Sequence, residues 1–348
     1  MMDDDAESYL QTQALIENLV YQERPDLVLL TGDIVDPAIV QGKHDYSRYF
    51  GQAMEFILQS QIPWIWTGGN PVNGVDRKTL LQIDKEYGGD LSWSGYKWDM
   101  DEIRDGDKIA KTGYFTGRVP IFDKEGREEI MSVYTLDSES HSDCKSGYLP
   151  GESCISSQAI DWFDSQQNKY SHNHRHRDFV FTHKPIQEFM TLANLYEITG
   201  HKQQAVGCQA MNTGLFATAM ESGRVEWIGA GSDADNDFAG KYHWLWLSFA
   251  RKSGYSGKGS LPRGARVFQL EKKENQFMTG SSYIVNDDGE KNVDMDTRAP
   301  PSFQFAHQAQ CSKDVFEDIF LFPEHLDGNA NSSADWDESF FSTDNFIQ

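Results

Sequence analysis

Apolar positions along this chain fall into short runs and helical stripes that alternate. In residues 11–23, Leu15, Ile16, Leu19 and Val20 share one helical face, and Pro25 predicts the stop. The branched run Leu27-Val28-Leu29-Leu30 is too short for a helix and ends abruptly in Thr31-Gly32-Asp33. That pattern predicts a strand buried on both faces, with the Asp33 carboxylate delivered at its C-terminal edge. Tyr49, Phe50, Ala53, Phe56 and Ile57 return to helical spacing, and residues 62–67 predict a second strand running into Gly68-Gly69-Asn70-Pro71. Two successive strand–helix units thus end in Gly-anchored polar residues, the way an α/β protein assembles a site from loops.

The alternation continues. A short helix is predicted over 79–87 and an irregular excursion over 90–107. An antiparallel pair follows at 113–123 and 129–136, with 124–127 as its turn. A serine-capped helix covers 156–167, and the strand 178–183 cannot continue as helix because of Pro185. Residues 215–220 read as helix. Residues 224–229 read as a strand entering the loop Gly231-Ser232-Asp233-Ala234-Asp235-Asn236-Asp237, and 242–249 and 265–270 as strands. Trp64, Trp66, Trp227, Trp244 and Trp246 lie on strand patterns and read as core. From Asn286 the sequence turns to acidic, amide and serine residues broken by Phe316, Phe320, Phe322, Trp336, Phe340 and Phe341. The expected organisation is one domain over 1–285 and an acidic tail with aromatic anchors over 286–348. No repeat period appears.

Charge narrows the function classes. With 31 basic and 54 acidic residues, the net charge is −23, which disfavours nucleic acid and anionic membrane as partners through bulk charge. The first residues have no apolar signal core and no transit-peptide composition, and no apolar run approaches a bilayer span. A soluble chain without an export signal is the expectation. The four cysteines Cys144, Cys154, Cys208 and Cys311 read as too few and too scattered for a disulfide framework or a Cys zinc site. Cys144 and Cys154 are near enough to close a loop in an exported chain. The tract His172-Asn173-His174-Arg175-His176 looks like metal-binding composition but reads as a solvated loop, and Gly257-Lys258-Gly259-Ser260 lacks phosphate-loop spacing. Asn331-Ser332-Ser333 is a glycosylation sequon, of little meaning without a signal peptide.

The strand ends supply Asp33, Asn70, His183 and the 232–237 loop, in that order. The run Arg24-Pro25-Asp26-Leu27-Val28-Leu29-Leu30-Thr31-Gly32-Asp33 resembles the second motif of calcineurin-like metallophosphoesterases, of the purple-acid-phosphatase-like subgroup. Other stretches match in order and spacing: Gly69-Asn70, Leu136-Asp137-Ser138, Gln158-Ala159-Ile160-Asp161-Trp162-Phe163, Thr182-His183-Lys184-Pro185, Asn212-Thr213-Gly214, the 231–238 loop and Arg263-Gly264-Ala265-Arg266. The resemblance covers roughly residues 11–272. It implies an α/β sandwich, two mainly mixed β-sheets packed face to face and flanked by helices. It also implies a two-metal site at the strand ends that clamps the attacking and departing oxygens of a phosphoester.

Departures from the family pattern are concentrated in that site. The opening Asp-x-His motif has no counterpart before Asp33. Pro71 and Val72 stand where the family has its catalytic His and the Asp that orients it. Ser232 and Ala234 stand where the last loop has two His. Asp33, Asn70 and His183 match, which leaves ligands for at most one ion. Ser232 would serve as a weak neutral oxygen, and Asp233 or Asp235 as further carboxylates. No cofactor is expected beyond one divalent cation such as Mg, Mn, Zn or Fe. The expected protein is a non-catalytic relative, a structural or binding component that meets protein partners through its surface and the C-terminal tail. The alternative is a phosphoester hydrolase with a single or rebuilt metal site. Members of the family are often secreted or lysosomal and vacuolar.

Overall fold

A computed structural model of the chain describes residues 3–96, 109, 111–123, 125–138, 153–169, 176–271, 279–293, 308, 310 and 311. The helices are α1 (Asp3–Glu23), α2 (Lys43–Gln59), α3 (Arg77–Gly88), α4 (Ser157–Lys169), α5 (Glu188–Leu195) and α6 (Leu215–Ser222). The strands are β1 (Val28–Leu30), β2 (Trp64–Trp66), β3 (Gly117–Phe122), β4 (Glu129–Leu136), β5 (Arg177–Thr182) and β6 (Val225–Ala230). They continue with β7 (Ala239–Tyr242), β8 (Leu245–Phe249), β9 (Gly264–Glu271), β10 (Thr279–Asn286) and β11 (Lys291–Val293). The chain divides between Glu317 and Asp318, and the part beyond lies outside the described residues.

A six-stranded mixed sheet forms the centre, in the order β3-β4-β5-β6-β8-β7. β4, β5, β6 and β8 are parallel neighbours, and β3 and β7 pair antiparallel at the two edges. Parallel strands need cover on both faces, and their sequences are correspondingly rich in apolar residues. One face carries α4, α5 and α6, whose Ile160, Phe163, Phe189, Leu192 and Leu215 pack with Tyr134, Val180 and Ile228. The opposite face carries β2 and β9: Ile65, Phe268 and Leu270 pack with Val133, Phe179, Phe181 and Trp227. Phe268 meets Phe179, Phe181 and Trp227 edge-on, with ring centres 5.1–5.7 Å apart. The fully buried side chains among these, such as Ile65 and Trp227, each contribute about 1.5–3 kcal/mol of apolar burial.

The second layer of the sandwich is in two pieces. β1 and β2 form a parallel pair, and β11-β10-β9 an antiparallel sheet. The outer side of the β1–β2 pair is covered by α2 and α3 through Phe50, Met54, Leu80 and Ile83 against Trp64 and Trp66. α3 starts where the Asp76 carboxylate accepts from the Thr79 N–H at 2.9 Å, and Gly89 at φ 50° ends it. In α4 the Ser156 hydroxyl accepts from the Ala159 N–H at 3.1 Å. Capping predicted from sequence is therefore realised at α4.

Several expectations need correction. β1 is three residues long and half-buried rather than buried on both faces. The single strand expected over 242–249 is a hairpin, β7 and β8. Its turn exposes Trp244, which therefore is not core, while Trp64, Trp66 and Trp227 are fully buried. α5, β10 and β11 had no clear pattern in the sequence. The composition shift at Asn286 is not the edge of the fold, because β10 ends there and β11 pairs back onto it. Cys208 and Cys311 form a disulfide across 103 residues, and Cys154 is also disulfide-bonded. Sequence spacing could not reveal a pairing that tertiary folding creates. Cys144 lies outside the described residues, as do His172 to Arg175, the aromatic positions of the tail and the Asn331 sequon.

Candidate functional site

Asp33, Asn70, His183 and the 231–237 loop each follow the C-terminal end of a parallel strand: β1, β2, β5 and β6. The structure brings the first three together. Asp33 sits at φ 47°, a left-handed conformation uncommon outside glycine. Its Oδ1 accepts from the Asn70 backbone N–H at 2.7 Å, and its Oδ2 accepts from the Asn70 Nδ2 at 2.7 Å. The carboxylate therefore staples the end of β1 to the end of β2. Glycines permit the crossing: a Cβ on Gly32 would collide with the His183 ring, and one on Gly69 with the Asp33 backbone.

His183 is buried, and its Nδ1 lies 2.7 Å from the Thr31 carbonyl. A carbonyl only accepts, so Nδ1 carries the proton and donates it there. Burial pushes the imidazole below its ordinary pKa, against the pull of the Asp33 charge, so the neutral form prevails. Nε2 then presents a lone pair 3.5 Å from Asp33 Oδ2 and makes no hydrogen bond. Burial also works against charge on Asp33, but the pull of His183 when it is charged, the Asn70 N–H, Lys184 and the Asn70 amide outweigh it and hold the carboxyl below its ordinary value.

Behind these groups lies a frame that the sequence did not announce. Buried Arg77 of α3 donates to the Gly69 carbonyl at 2.6 Å, ion-pairs with Asp137 and lies 4.9 Å from the Phe115 ring centre. Asp137 also accepts from the Phe115 N–H at 3.3 Å. Ser138 accepts from the Lys184 N–H at 3.0 Å. The 136–138 motif therefore braces both the Gly69 turn and the chain at His183. Arg77 stands at the start of an otherwise ordinary amphipathic helix, just ahead of the 79–87 stretch that the sequence marked as helical.

The last loop is largely committed to structure. Gly231 donates to the carbonyls of Thr182 and His183, which places Ser232 next to the site at φ 67°, with its buried Oγ unpartnered. Asp233 is buried, and its Oδ2 accepts from the Gly207 N–H at 3.2 Å and the Asn236 amide at 2.9 Å. Burial pushes its pKa up to about 6, opposed by those donors and by Lys184 and Lys202. Asp235, expected as a spare carboxylate, instead accepts from Ser260 and Leu261 N–H groups through Oδ1. Asp237 pairs with Arg251 at 2.5 Å and accepts from the His201 N–H. His176 is buried and not solvated: its Nε2 contacts Asp178 at 2.9 Å and Ser132 at 3.1 Å, on the approach to β5.

These groups permit a direct test of metal fit. Among the described residues no three His, Cys, Asp or Glu side chains are grouped to hold an ion. The available donors are one carboxylate (Asp33), one imidazole lone pair (His183), one amide (Asn70) and one hydroxyl (Ser232). A nitrogen lone pair facing a carboxylate oxygen, with the other ring N–H anchored on a carbonyl, suits a single cation. It does not suit a pair of metals, which need ligands on both sides of a bridging carboxylate. Pro71 offers no group that moves a proton.

Comparison with known proteins places this geometry in context. The family model for calcineurin-like phosphoesterases matches residues 6–201, more than half of the chain. The chain is similar to "Probable inactive purple acid phosphatase 14" of Arabidopsis thaliana, 26% identical over 297 residues, covering 78% of this chain and 69% of that one. "Probable inactive purple acid phosphatase 29" of the same plant is 24% identical over 277 residues, covering 76% and 69%. Among solved structures, a dimetal phosphatase from Danio rerio aligns with TM-score 0.47 at 14% identity, over 78% of this chain and 82% of that one.

Proposed function

This chain belongs to the calcineurin-like phosphoesterase family, and from that premise we propose that it is a non-hydrolytic member acting as a binding or structural component. One observation carries the reading: among the described residues, the donors at the converging strand ends are Asp33, Asn70, His183 and Ser232, with Pro71 in place of a proton-transferring side chain. Hydrolysis by the two-metal route needs ligands for a second ion and a group to protonate the departing oxygen. The names of the Arabidopsis relatives, which read "probable inactive", are consistent with this.

The experiment is a chromogenic phosphomonoester assay on purified protein with Mn, Zn, Fe or Mg added in turn. No turnover above buffer is expected, and elemental analysis should find less than one transition-metal ion per chain. Turnover abolished by Asp33→Ala would overturn the reading and favour a hydrolase with a single or rebuilt metal site.

The binding role rests on partners of the surface and of the C-terminal tail, whose Phe316, Phe320, Phe322, Trp336, Phe340 and Phe341 offer apolar anchors in an acidic sequence. Deleting residues 312–348 leaves β11 and the Cys208–Cys311 disulfide in place and tests the tail alone. A partner held by the full chain should be lost by the truncated one. Partners retained in full would remove the tail from the proposal.

A further inference from the structure

We propose that the Cys208–Cys311 disulfide is a redox-gated strap that holds the loop bordering the Asp33–His183 site, and that a dithiol reductant opens it. Such a strap would act whether or not the protein hydrolyses phosphoesters. Gln308 is fastened at both backbone and side chain. Its N–H donates to Asn194 Oδ1 at 3.1 Å and its carbonyl accepts from Asn194 Nδ2 at 2.8 Å. Its side-chain amide pairs with the N–H and carbonyl of Val206 at 2.8 and 2.9 Å. Three residues later Cys311 closes onto Cys208. The strap therefore grips residues 206–208 by one covalent bond and two hydrogen bonds.

Those same residues belong to the segment that shapes the site. Gly207 donates to the buried Asp233 carboxylate. Gln203 and Gln204 N–H groups converge on Asn236 Oδ1 at 3.1 and 3.2 Å, and Gln204 Oε1 accepts from the Asp235 N–H at 2.9 Å. Gln209 donates through its side chain to the Lys184 carbonyl at 3.0 Å, one residue from His183. Residues 196–214 contain neither helix nor named strand, and two isolated antiparallel bridges, Thr199 with Ala239 and Lys202 with Asn236, fasten the first part. From 204 onward, side-chain bonds and single backbone bonds from Gln209 and Ala210 hold the segment rather than a continuous β-ladder. Segments of that kind open locally at low free energy unless something ties them down. The strap is one such tie, and Gly207, which it holds, lies close against Asp233 Oδ1, a buried atom without a hydrogen-bond partner: a Cβ added at Gly207 would come within 2.9 Å of it.

The chemistry balances with a dithiol as the named reductant. Cys208 and Cys311 are 3% and 6% exposed, so attack follows local opening at Gln308. One reductant thiolate attacks the Cys311 sulfur, breaks the S–S bond and expels the Cys208 thiolate, forming a mixed disulfide. The second reductant thiol displaces Cys311 and leaves as a cyclic disulfide. Two electrons and two protons pass to the protein, which then carries two thiols.

The test is hydrogen exchange with peptide-level mass analysis on the full chain, oxidised, treated with dithiothreitol, and as the variants Cys311→Ser and Cys154→Ser. Alkylation mapping reports which disulfide has been reduced. Expected is roughly tenfold or faster exchange across 203–210 and 231–237 on reduction and in Cys311→Ser. Strands β4, β5 and β6 should be unchanged, Cys154→Ser should behave as oxidised wild type, and dithiothreitol should add nothing to Cys311→Ser in those two segments. Unaltered exchange there after alkylation has confirmed reduction would overturn the proposal. So would a disulfide that dithiothreitol leaves intact in the folded protein, or protection lost from the whole sheet at once. If Cys311→Ser does not fold, the dithiothreitol arm on folded protein decides alone.

Discussion

Replacing Asp233 by Asn removes a buried charge that the fold tolerates at a cost. The Asp233 side chain accepts hydrogen bonds from Gly207 and Asn236 on one oxygen only, and its Oδ1 is buried without a partner. Burial raises its pKa to about 6, against about 3.9 in an unfolded chain. Between those values the folded state holds a proton that the unfolded state has released, so stability falls as pH rises through this window and the full penalty stands above it. About two pKa units at 1.36 kcal/mol each give ~3 kcal/mol. Asn keeps the acceptor for Gly207 and Asn236 and never ionises. The Asp233→Asn variant should therefore match wild type at about pH 4 and exceed it by up to ~3 kcal/mol at pH 7. Urea unfolding followed by tryptophan fluorescence, with disulfides intact and a chelator present, measures the difference at each pH, and other titrating groups cancel. A difference that stays flat from pH 4.5 to 8, or a variant less stable than wild type at pH 7, would refute the reasoning.

Two further substitutions probe the frame and the donor set. Arg77→Met should cost about 3–5 kcal/mol in the same unfolding assay, because it strands the Asp137 carboxylate, 1% exposed, without its cation. Adding Asp137→Asn should recover part of that loss, and a single-variant cost under about 1 kcal/mol would mean the pair is not a brace. Ser232→His places an imidazole where the backbone already sits at φ 67°, a region His tolerates better than most residues. It should raise Zn affinity roughly tenfold or more over wild type in a chelator competition, and an unchanged affinity would mean that Ser232 does not face Asp33 and His183.

The parts of this fold legible in the sequence were those with a local cause. Gly32-Asp33 and Gly69-Asn70 announced strand ends because glycine and a short polar side chain after an apolar run have few other uses. The hairpin of β3 and β4 showed through its alternation and its 124–127 turn. What stayed hidden depends on distance along the chain. Arg77 and Asp137 are 60 residues apart and Cys208 and Cys311 103 apart, and no window of sequence holds both members of either pair. Asp235 looks like a ligand in the 231–237 motif, yet Ser260 and Leu261, which occupy it, come from a later segment. His176 misled for a related reason: a His-rich tract reads as solvated, but its last member is already the entry to a central strand.

Retention of Asp33 is weak evidence for catalysis, because the structure gives it another task. It joins β1 to β2 through two hydrogen bonds to Asn70, and removing it would leave the Asn70 N–H without that acceptor at the meeting of two strand ends. His183 differs. Its Nδ1–H is secured by Thr31, but Nε2 faces the carboxylate with no proton between them, an approach two lone-pair-bearing atoms do not seek unaided. The scaffold imposes that approach: the Thr31 carbonyl fixes the ring's orientation, and Gly32 lets the ring lie against the chain. A geometry held by backbone rather than by mutual attraction survives the loss of a ligand elsewhere. On the non-hydrolytic reading proposed above, the described site differs from a two-metal centre in the number of its donors and in having Pro71 after Asn70. The positions of Asp33, Asn70 and His183 are set by the strands beneath them.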